Sequence, residues 1–292
     1  MRISTAQLPK PPHGADRVVA TGNAVVVLDG ASAIESVSIP PGVYADYLGA
    51  SITAALTARP EAALASILAE AIEAAARSLG LTGEDCPSST VAMARTTGGQ
   101  IDLLVLGDSF IFYDTGSGAA VLTDDRLAAL GLPEQRKYRE RLRAGGGYDP
   151  THRALLRRLQ RQQRQHRNRP EGYWIAEKDP AAAGHARTLT LPASTTCWTV
   201  LATDGAVNTA QHLGLDDWQA IAHYDPAELA RLLQRCHDWE EHTDPGGQRL
   251  PRAKRHDDKT IASARIALTP LEHDAPRHLQ NPADTEGRAG GQ

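Results

Sequence analysis

The sequence predicts an α+β protein with antiparallel strands, and three observations support this fold class. Short runs rich in Val, Ile, Leu and Ala recur along the chain, as is typical of strands buried on at least one face. Between residues 90 and 122 four such runs follow one another through short turns, which leaves no room for the crossover helices of parallel strands. Two Ala- and Leu-rich segments, 43–58 and 61–79, predict helices, with Pro60 as a start signal and Gly80 as a stop signal.

The remaining elements are predicted in chain order. A Pro-containing lead-in carries no predicted element, and residues 17–29 then predict a strand pair that turns at 21–23. Asp225, Pro226 and Glu228 match the N-cap, N1 and N3 positions of a helix. The other predictions are a helix near 216–224 and strands at 173–176, 186–191, 198–203 and 259–268.

The bulk composition excludes several classes of protein. The chain has 292 residues, a formal net charge of −4 and 41% apolar residues, which suffices for a core and favours neither nucleic acid nor a membrane as partner. No run reaches the roughly 18 apolar residues of a membrane span, and the N-terminus has no apolar secretion signal. The cysteines Cys86, Cys197 and Cys236 match neither a disulfide framework nor a zinc site, so we expect a reduced, cytoplasmic compartment.

Four aspartates stand where short apolar strands begin or end. They are Asp29, Asp108, Asp204 and Asp257. Asp-Gly is ordinary turn chemistry, so one such aspartate means little, but four suggest carboxylates gathered at one edge of a β core. Clustered carboxylates repel one another unless a cation neutralises them, and oxygen-only ligands suit Mg²⁺ or Mn²⁺. The pattern therefore predicts a divalent metal site.

The order of these motifs resembles the PPM, or type 2C, family of metal-dependent serine/threonine protein phosphatases, in particular its bacterial members. The matching motifs, between about residue 14 and residue 268, are Gly14-Ala15-Asp16-Arg17, Asp29-Gly30, Ser89-Thr90-Val91-Ala92, Gly107-Asp108-Ser109, Gly172-Tyr173-Trp174-Ile175-Ala176, Thr203-Asp204-Gly205 and Asp257-Asp258-Lys259-Thr260. The resemblance implies an α-β-β-α sandwich of two antiparallel sheets flanked by helices. We expect one domain of this type over residues 1–271, followed by a polar tail, 272–292, whose lack of periodicity predicts disorder.

The resemblance also implies a set of metal-site residues. They are Asp16, Asp29, Gly30, Asp108, Asp204 and Asp257. Asp29 would bridge two Mn²⁺ or Mg²⁺ ions, with the Gly30 carbonyl as a further ligand. Asp204 and Asp257 would complete the shell of the first ion, and with Asp29 they are the implied catalytic residues.

The positions around the second and third ions depart from the family pattern. Asp16 would lie near the second ion, usually through water, but Ala15 replaces the Glu or Gln often found before it. Asp108 would help Asp204 to hold a weaker third ion. Asn208 stands where many members carry another Asp, and an amide oxygen without charge would hold that ion less tightly.

No residue of the sequence matches the family's general acid or its phosphate-binding arginine. The segment 31–33 after the first Asp-Gly contains no histidine, and the nearest cations to the acidic motif are Lys10 and Arg17. His13 is interpreted as a solvated side chain. His256, beside Asp257, suggests a metal ligand, but an exposed loop histidine is the favoured interpretation. Asp258 is interpreted as a cap or a surface group. It is expected to point away from its neighbour Asp257, because side chains alternate along a strand.

The segment 136–169 is strongly basic, with twelve Arg and Lys against Glu140 and Asp149. By resemblance it lies where the family carries a flap beside the active site. Leu155, Leu156 and Leu159 would pack on one side of a helix while the arginines face water. A local excess of positive charge also favours acidic or phosphorylated protein substrates.

The implied activity is hydrolysis of phosphoserine and phosphothreonine in proteins by a metal-activated water. A catalytically weak pseudophosphatase that binds phosphoproteins is an alternative, motivated by Ala15 and by the altered segment 31–33. A nucleic-acid contact through the basic segment is a second alternative, but only Tyr138 and Tyr148 could stack on bases there. The sequence has no P-loop, and its cysteines do not lie in a phosphate-cradling loop.

Overall fold

The computed structural model describes residues 1–31, 38–83 and 85–266. In these ranges the strands are β1 (Arg2–Leu8), β2 (Arg17–Ala20), β3 (Ala24–Gly30), β4 (Ser89–Thr97), β5 (Gln100–Leu106), β6 (Phe110–Asp114), β7 (Ala119–Thr123), β8 (Arg187–Pro192), β9 (Trp198–Ala202) and β10 (Lys259–Arg265). They form two five-stranded sheets, in the orders β1-β10-β9-β6-β7 and β2-β3-β4-β5-β8. Every pair of neighbouring strands is antiparallel, as predicted.

The described residues also form α-helices. They are α1 (Pro41–Ala58), α2 (Leu64–Leu79), α3 (Arg126–Ala129), α4 (Pro133–Arg143), α5 (Pro150–His166), α6 (Asp204–His212), α7 (Trp218–Ile221) and α8 (Pro226–His242), with a 3₁₀ helix at Pro180–His185. Helices α1 and α2 pack on the sheet that contains β3, and α6 to α8 pack on the sheet that contains β9. No helix of the described residues is long and apolar enough to cross a membrane.

Alternation along the strands explains the layered core. On β3, Val26 and Leu28 pack against α1 and α2, whereas Val25 and Val27 face the other sheet. Leu201 of β9 joins that inter-sheet layer. The α-β-β-α sandwich is therefore confirmed.

The predicted meander between residues 90 and 122 is wrong in one respect. β4 pairs with β5 in one sheet and β6 pairs with β7 in the other, so the chain changes sheets at the turn 107–109. Gly107 makes this change possible with a φ of +85°, and a Cβ there would lie 2.9 Å from the Thr90 side chain. The four strands exist, but the two hairpins lie in different sheets.

Several other predictions need correction. The lead-in contains a missed strand, β1, which pairs with β10. Residues 173–176 are not a strand, because Tyr173 and Ala176 make only isolated bridges. Helix α2 begins at Leu64 rather than after Pro60, and the helix predicted near 216–224 is the single turn α7. Residues 267–268 of the last predicted strand and the predicted tail, 272–292, lie outside the described residues.

The remaining helix signals are confirmed. Gly80 ends α2 in the left-handed conformation. Asp225 and Glu228 form a capping box at the start of α8, with Pro226 at N1. The basic segment contains α4 and α5, and Leu156 and Leu159 of α5 pack against α4, as expected.

Candidate active site

The four aspartates at strand ends meet in one cleft. Asp29 ends β3, Asp108 follows β5, Asp204 is the first residue of α6 after β9, and Asp257 precedes β10. All four line a cleft of about 240 Å³. Because two come from each sheet, the cleft lies at the edge where the two sheets of the sandwich meet.

Burial makes this cluster electrostatically costly. The pKa of Asp29 is raised well above its usual value, first by burial and then by the charges of Asp16 and Asp204. Burial and the charge of Asp257 raise the pKa of Asp204 in the same way, and burial raises the pKa of Asp108. Within the described chain, no side-chain hydrogen bond reaches the Asp29 or Asp204 carboxylate.

Asp16 joins the cluster from the N-terminal motif. Its side chain is buried, and Oδ2 accepts hydrogen bonds from Thr203 at 3.0 Å and Thr260 at 2.9 Å. Its Oδ1 is also buried and has no partner among the described residues. Burial and the charge of Asp258 raise the pKa of Asp16 to about 7. An unpartnered buried oxygen beside other carboxylates fits a site for a hard divalent cation.

Among the described residues, Lys254 is the cation that contacts the cluster. Lys254 lines the cleft and donates to Asp257 Oδ1 at 2.7 Å. Burial alone would lower the pKa of Lys254, but the Asp257 carboxylate outweighs it and raises that pKa, so the ammonium stays charged. No sequence motif identifies this residue, because a loop lysine three residues before an aspartate carries no distinctive signal.

The glycines of the two Asp-Gly motifs allow close approach of backbones. A Cβ on Gly205 would lie 2.2 Å from the Asp258 carbonyl oxygen, and a Cβ on Gly30 would lie 2.7 Å from the Ala15 carbonyl oxygen. Asp204 and Gly205 are the first two residues of α6, and Gly205 packs on the loop that carries Asp257. This Asp-Gly motif is therefore not a turn.

Two residues beside the cluster make contacts with distant parts of the chain. Of the two interpretations of Asp258, the structural one is supported, because its Oδ2 accepts the Ala15 N–H at 2.6 Å, and its charge acts on Asp16. His256 is not an exposed loop histidine, since its ring is half-buried between Glu240 and Glu241.

The cations expected near the acidic motif are not available to a phosphate. Arg17 is buried and binds Asp46 through two hydrogen bonds, of 2.5 and 3.0 Å. Lys10 is exposed, and His13 is exposed as expected. None of these three residues lines the cleft.

The basic segment forms another wall of the cleft. Arg164 and Arg167, at the C-terminal end of α5, line it together with Tyr173. Arg167 donates to Glu177 at 2.9 Å and to the Tyr173 hydroxyl at 3.2 Å, which ties this wall to the segment after α5. Residues of α5 therefore line the cleft that contains the acidic cluster.

Comparison with known proteins found similar solved structures but no matching sequence family. No protein-family model matches the chain, and no curated protein matches it significantly. The PPM Ser-Thr phosphatase MsPP from Mycobacterium smegmatis matches with a TM-score of 0.53 at 15% identity, over 91% of this chain and 99% of that chain. PppA, a regulatory component of T6SS in Pseudomonas aeruginosa, matches with a TM-score of 0.51 at 16% identity, over 91% and 97%.

A third structure, the photosystem II phosphatase PBCP, matches with a TM-score of 0.55 at 12% identity, over 91% of this chain and 98% of that chain. The chain therefore has the fold of the PPM-type Ser/Thr phosphatases, and the resemblance read from its motifs is confirmed at the level of the fold. At these identities, the argument for activity depends on the residues of the cleft itself.

Proposed function

We propose that the protein is a metal-dependent phosphomonoester hydrolase that acts on phosphoserine and phosphothreonine in proteins. The observation that carries this proposal is the convergence of the carboxylates of Asp29, Asp108, Asp204 and Asp257 on one cleft. The unpartnered Oδ1 of Asp16 adds to it. Repulsion in such a cluster is relieved by a hard divalent cation, and the fold is one that phosphatases use.

The proposed metal ligands are those implied by the motifs. Asp29, Asp204 and Asp257 would hold the first Mn²⁺ or Mg²⁺ ion, and Asp29 with the Gly30 carbonyl would hold the second. Asp16 would support the second ion, and Asp108 a weaker third. When bound, these ions would lower the pKa of a coordinated water toward neutrality and neutralise phosphate oxygens.

The chain's own cations would orient the phosphate. The Lys254 ammonium stays charged beside Asp257, and Arg164 and Arg167 line the same cleft. A phosphate dianion in the cleft would be attracted by these three cations. Leu156 and Ile175 also line the cleft, and their apolar side chains would exclude water from part of it.

The proposed substrate is a phosphorylated protein rather than a small phosphate ester. The cleft opens beside α5, whose exposed side chains include Arg153, Arg157 and Arg158. A basic helix beside the opening would attract an acidic or phosphorylated polypeptide over a distance of about one Debye length, roughly 8 to 10 Å.

The test is hydrolysis of phosphoserine and phosphothreonine peptides by the purified chain. We expect turnover with Mn²⁺ or Mg²⁺ and none after EDTA. Asp29→Asn should abolish turnover, whereas Asp125→Asn, at an exposed position with no side-chain cap bond, should leave it unchanged. Activity that survives chelation would rule out a metal-dependent mechanism.

The pseudophosphatase alternative has a distinct outcome in the same experiment. Ala15 packs against Gly30, where the family often carries a longer polar side chain. A chain that binds phosphopeptides with Mn²⁺ present but does not hydrolyse them would favour the alternative.

A further inference from the structure

A second group of potential metal ligands lies outside the acidic cleft. His237 and Glu240 are three residues apart on α8 and therefore share one face of the helix. His256 reaches the same point from the loop before β10. One ligand atom from each residue lies within 4.8 Å of the others, and none of the three lines the acidic cleft.

The two nitrogens of His256 face two different carboxylates. Nε2 lies 2.6 Å from Glu241 Oε2, and Nδ1 lies 3.3 Å from Glu240 Oε2. The shorter contact fixes the ring against Glu241 and leaves Nδ1 turned toward Glu240, the carboxylate of the same group. A carboxylate behind a histidine is also the usual support for a metal-binding histidine.

Glu240 is held in place by other partners. It is 1% exposed, Thr209 donates to its Oε1 at 2.7 Å, and Lys259 donates to its Oε2 at 2.8 Å. The Lys259 ammonium opposes a nearby cation and would weaken its binding, but a carboxylate retains lone pairs for a further partner. His237 is half-buried, its ring centroid lies 4.3 Å from that of His256, and it makes no hydrogen bond with the described residues.

We propose that His237, Glu240 and His256 bind one late first-row transition ion of the Zn²⁺ type. Two imidazoles and one carboxylate suit Zn²⁺, and the all-oxygen ligands of the cleft suit Mg²⁺ or Mn²⁺, so the chain would hold two chemically different kinds of metal site. The ion would fasten the loop 243–258, which carries Asp257, to α8. This proposal does not rest on the proposed phosphatase activity.

The test uses Co²⁺ as a visible probe in the double variant Asp29→Asn/Asp204→Asn, which weakens the acidic cleft. A site with two histidine nitrogens and low coordination number should give an intense visible absorption at one equivalent of Co²⁺ that Zn²⁺ displaces. Six-coordinate oxygen sites absorb only weakly. His237→Ala and the milder His237→Gln should each remove the band, and His242→Ala, on the same helix but outside the group, should keep it.

A second readout separates a bound ion from a merely structural network. Zn²⁺ should raise the Tm of the double variant and should fail to do so once His237→Gln is added. A Co²⁺ band and a Zn²⁺ effect on Tm that are both unchanged by His237→Gln would overturn the proposal. So would a double variant that gives no band at all, in which case the contacts of His256 with Glu240 and Glu241 have a purely structural role.

Discussion

At the scale of single residues, the raised pKa of Asp16 links the acidic cleft to the stability of the folded protein. Its carboxyl is buried, one oxygen has no partner in the described chain, and its pKa is raised from 3.8 to about 7. A group whose pKa is raised on folding stabilises the folded state below its unfolded pKa, and this stabilisation is lost as the pH rises through the folded pKa.

Metal-free protein should therefore become less stable between pH 5 and pH 7.5. At about 1.4 kcal/mol per pKa unit, the loss due to Asp16 is on the order of 2 kcal/mol. Thermal unfolding in EDTA across this range measures it, and Asp16→Asn should flatten the profile. Equal pH profiles for the two proteins would contradict the assignment.

Asp258 is expected to matter for structure more than for chemistry. Its Oδ2 accepts the Ala15 N–H at 2.6 Å and so ties the acidic N-terminal motif to the loop before β10. Asp258→Ala should cost about 1 to 2 kcal/mol of unfolding free energy, because the N–H loses a charged partner. Asp258→Asn keeps an acceptor and should cost less. Turnover should fall less with either variant than with Asp257→Ala, and an equal loss would make Asp258 part of the reaction.

At the scale of elements, the contact between the start of α6 and the loop before β10 is the tightest in the site. A Cβ on Gly205 would lie 2.2 Å from the Asp258 carbonyl oxygen, and backbone cannot rotate away as a side chain can. Gly205→Ala should lower the Tm and weaken Mn²⁺ binding, because the loop that carries Asp257 must shift. Gly22→Ala, in a turn where a Cβ meets nothing within 4 Å, is the control. Calorimetric titration and thermal unfolding of both variants measure the difference.

The exposed arginines of α5 that do not line the cleft should steer substrates without taking part in the chemistry. Arg157→Glu/Arg158→Glu reverses exposed charge beside the cleft, so KM for a phosphoprotein should rise several-fold and become less dependent on salt. The kcat for a small aryl phosphate should stay nearly constant. Arg231→Glu/Arg235→Glu, exposed on α8, is the matched control. A loss of kcat on the aryl phosphate would place α5 in the catalytic machinery.

At the scale of the whole molecule, the proposed metal site should form only in the folded chain. Its carboxylates come from β3, from the ends of β5 and β9, and from the loop before β10, so two elements of each sheet must be in place. An ion that binds only the folded state stabilises it by about 2.7 kcal/mol at 100 times its Kd. Mn²⁺ should raise the Tm of the wild type accordingly and that of Asp29→Asn much less. Differential scanning calorimetry with and without EDTA checks this.

The strands and the acidic residues could be predicted because their signals are local. Apolar runs marked most of the strands, and Asp29, Asp204 and Asp257 were identified from the residues that flank each strand end. The sequence of β1 does not predict a strand, because its residues are mixed in polarity. The segment 173–176 predicts a strand wrongly, because a short apolar run is also found in buried irregular chain.

The tertiary structure alone decided which strands share a sheet and which side chains meet. Nothing near Gly107 in sequence indicates that β5 and β6 lie in different sheets. The hydrogen bonds from Thr203 and Thr260 to Asp16 span 187 and 244 residues, and the contacts of His256 with Glu240 and Glu241 likewise depend on how the loop packs on α8. The sequence by itself determined most of the helices and strands and the aspartates that stand at the strand ends. Side-chain pairing between distant segments depends on packing and burial, which a local pattern does not record.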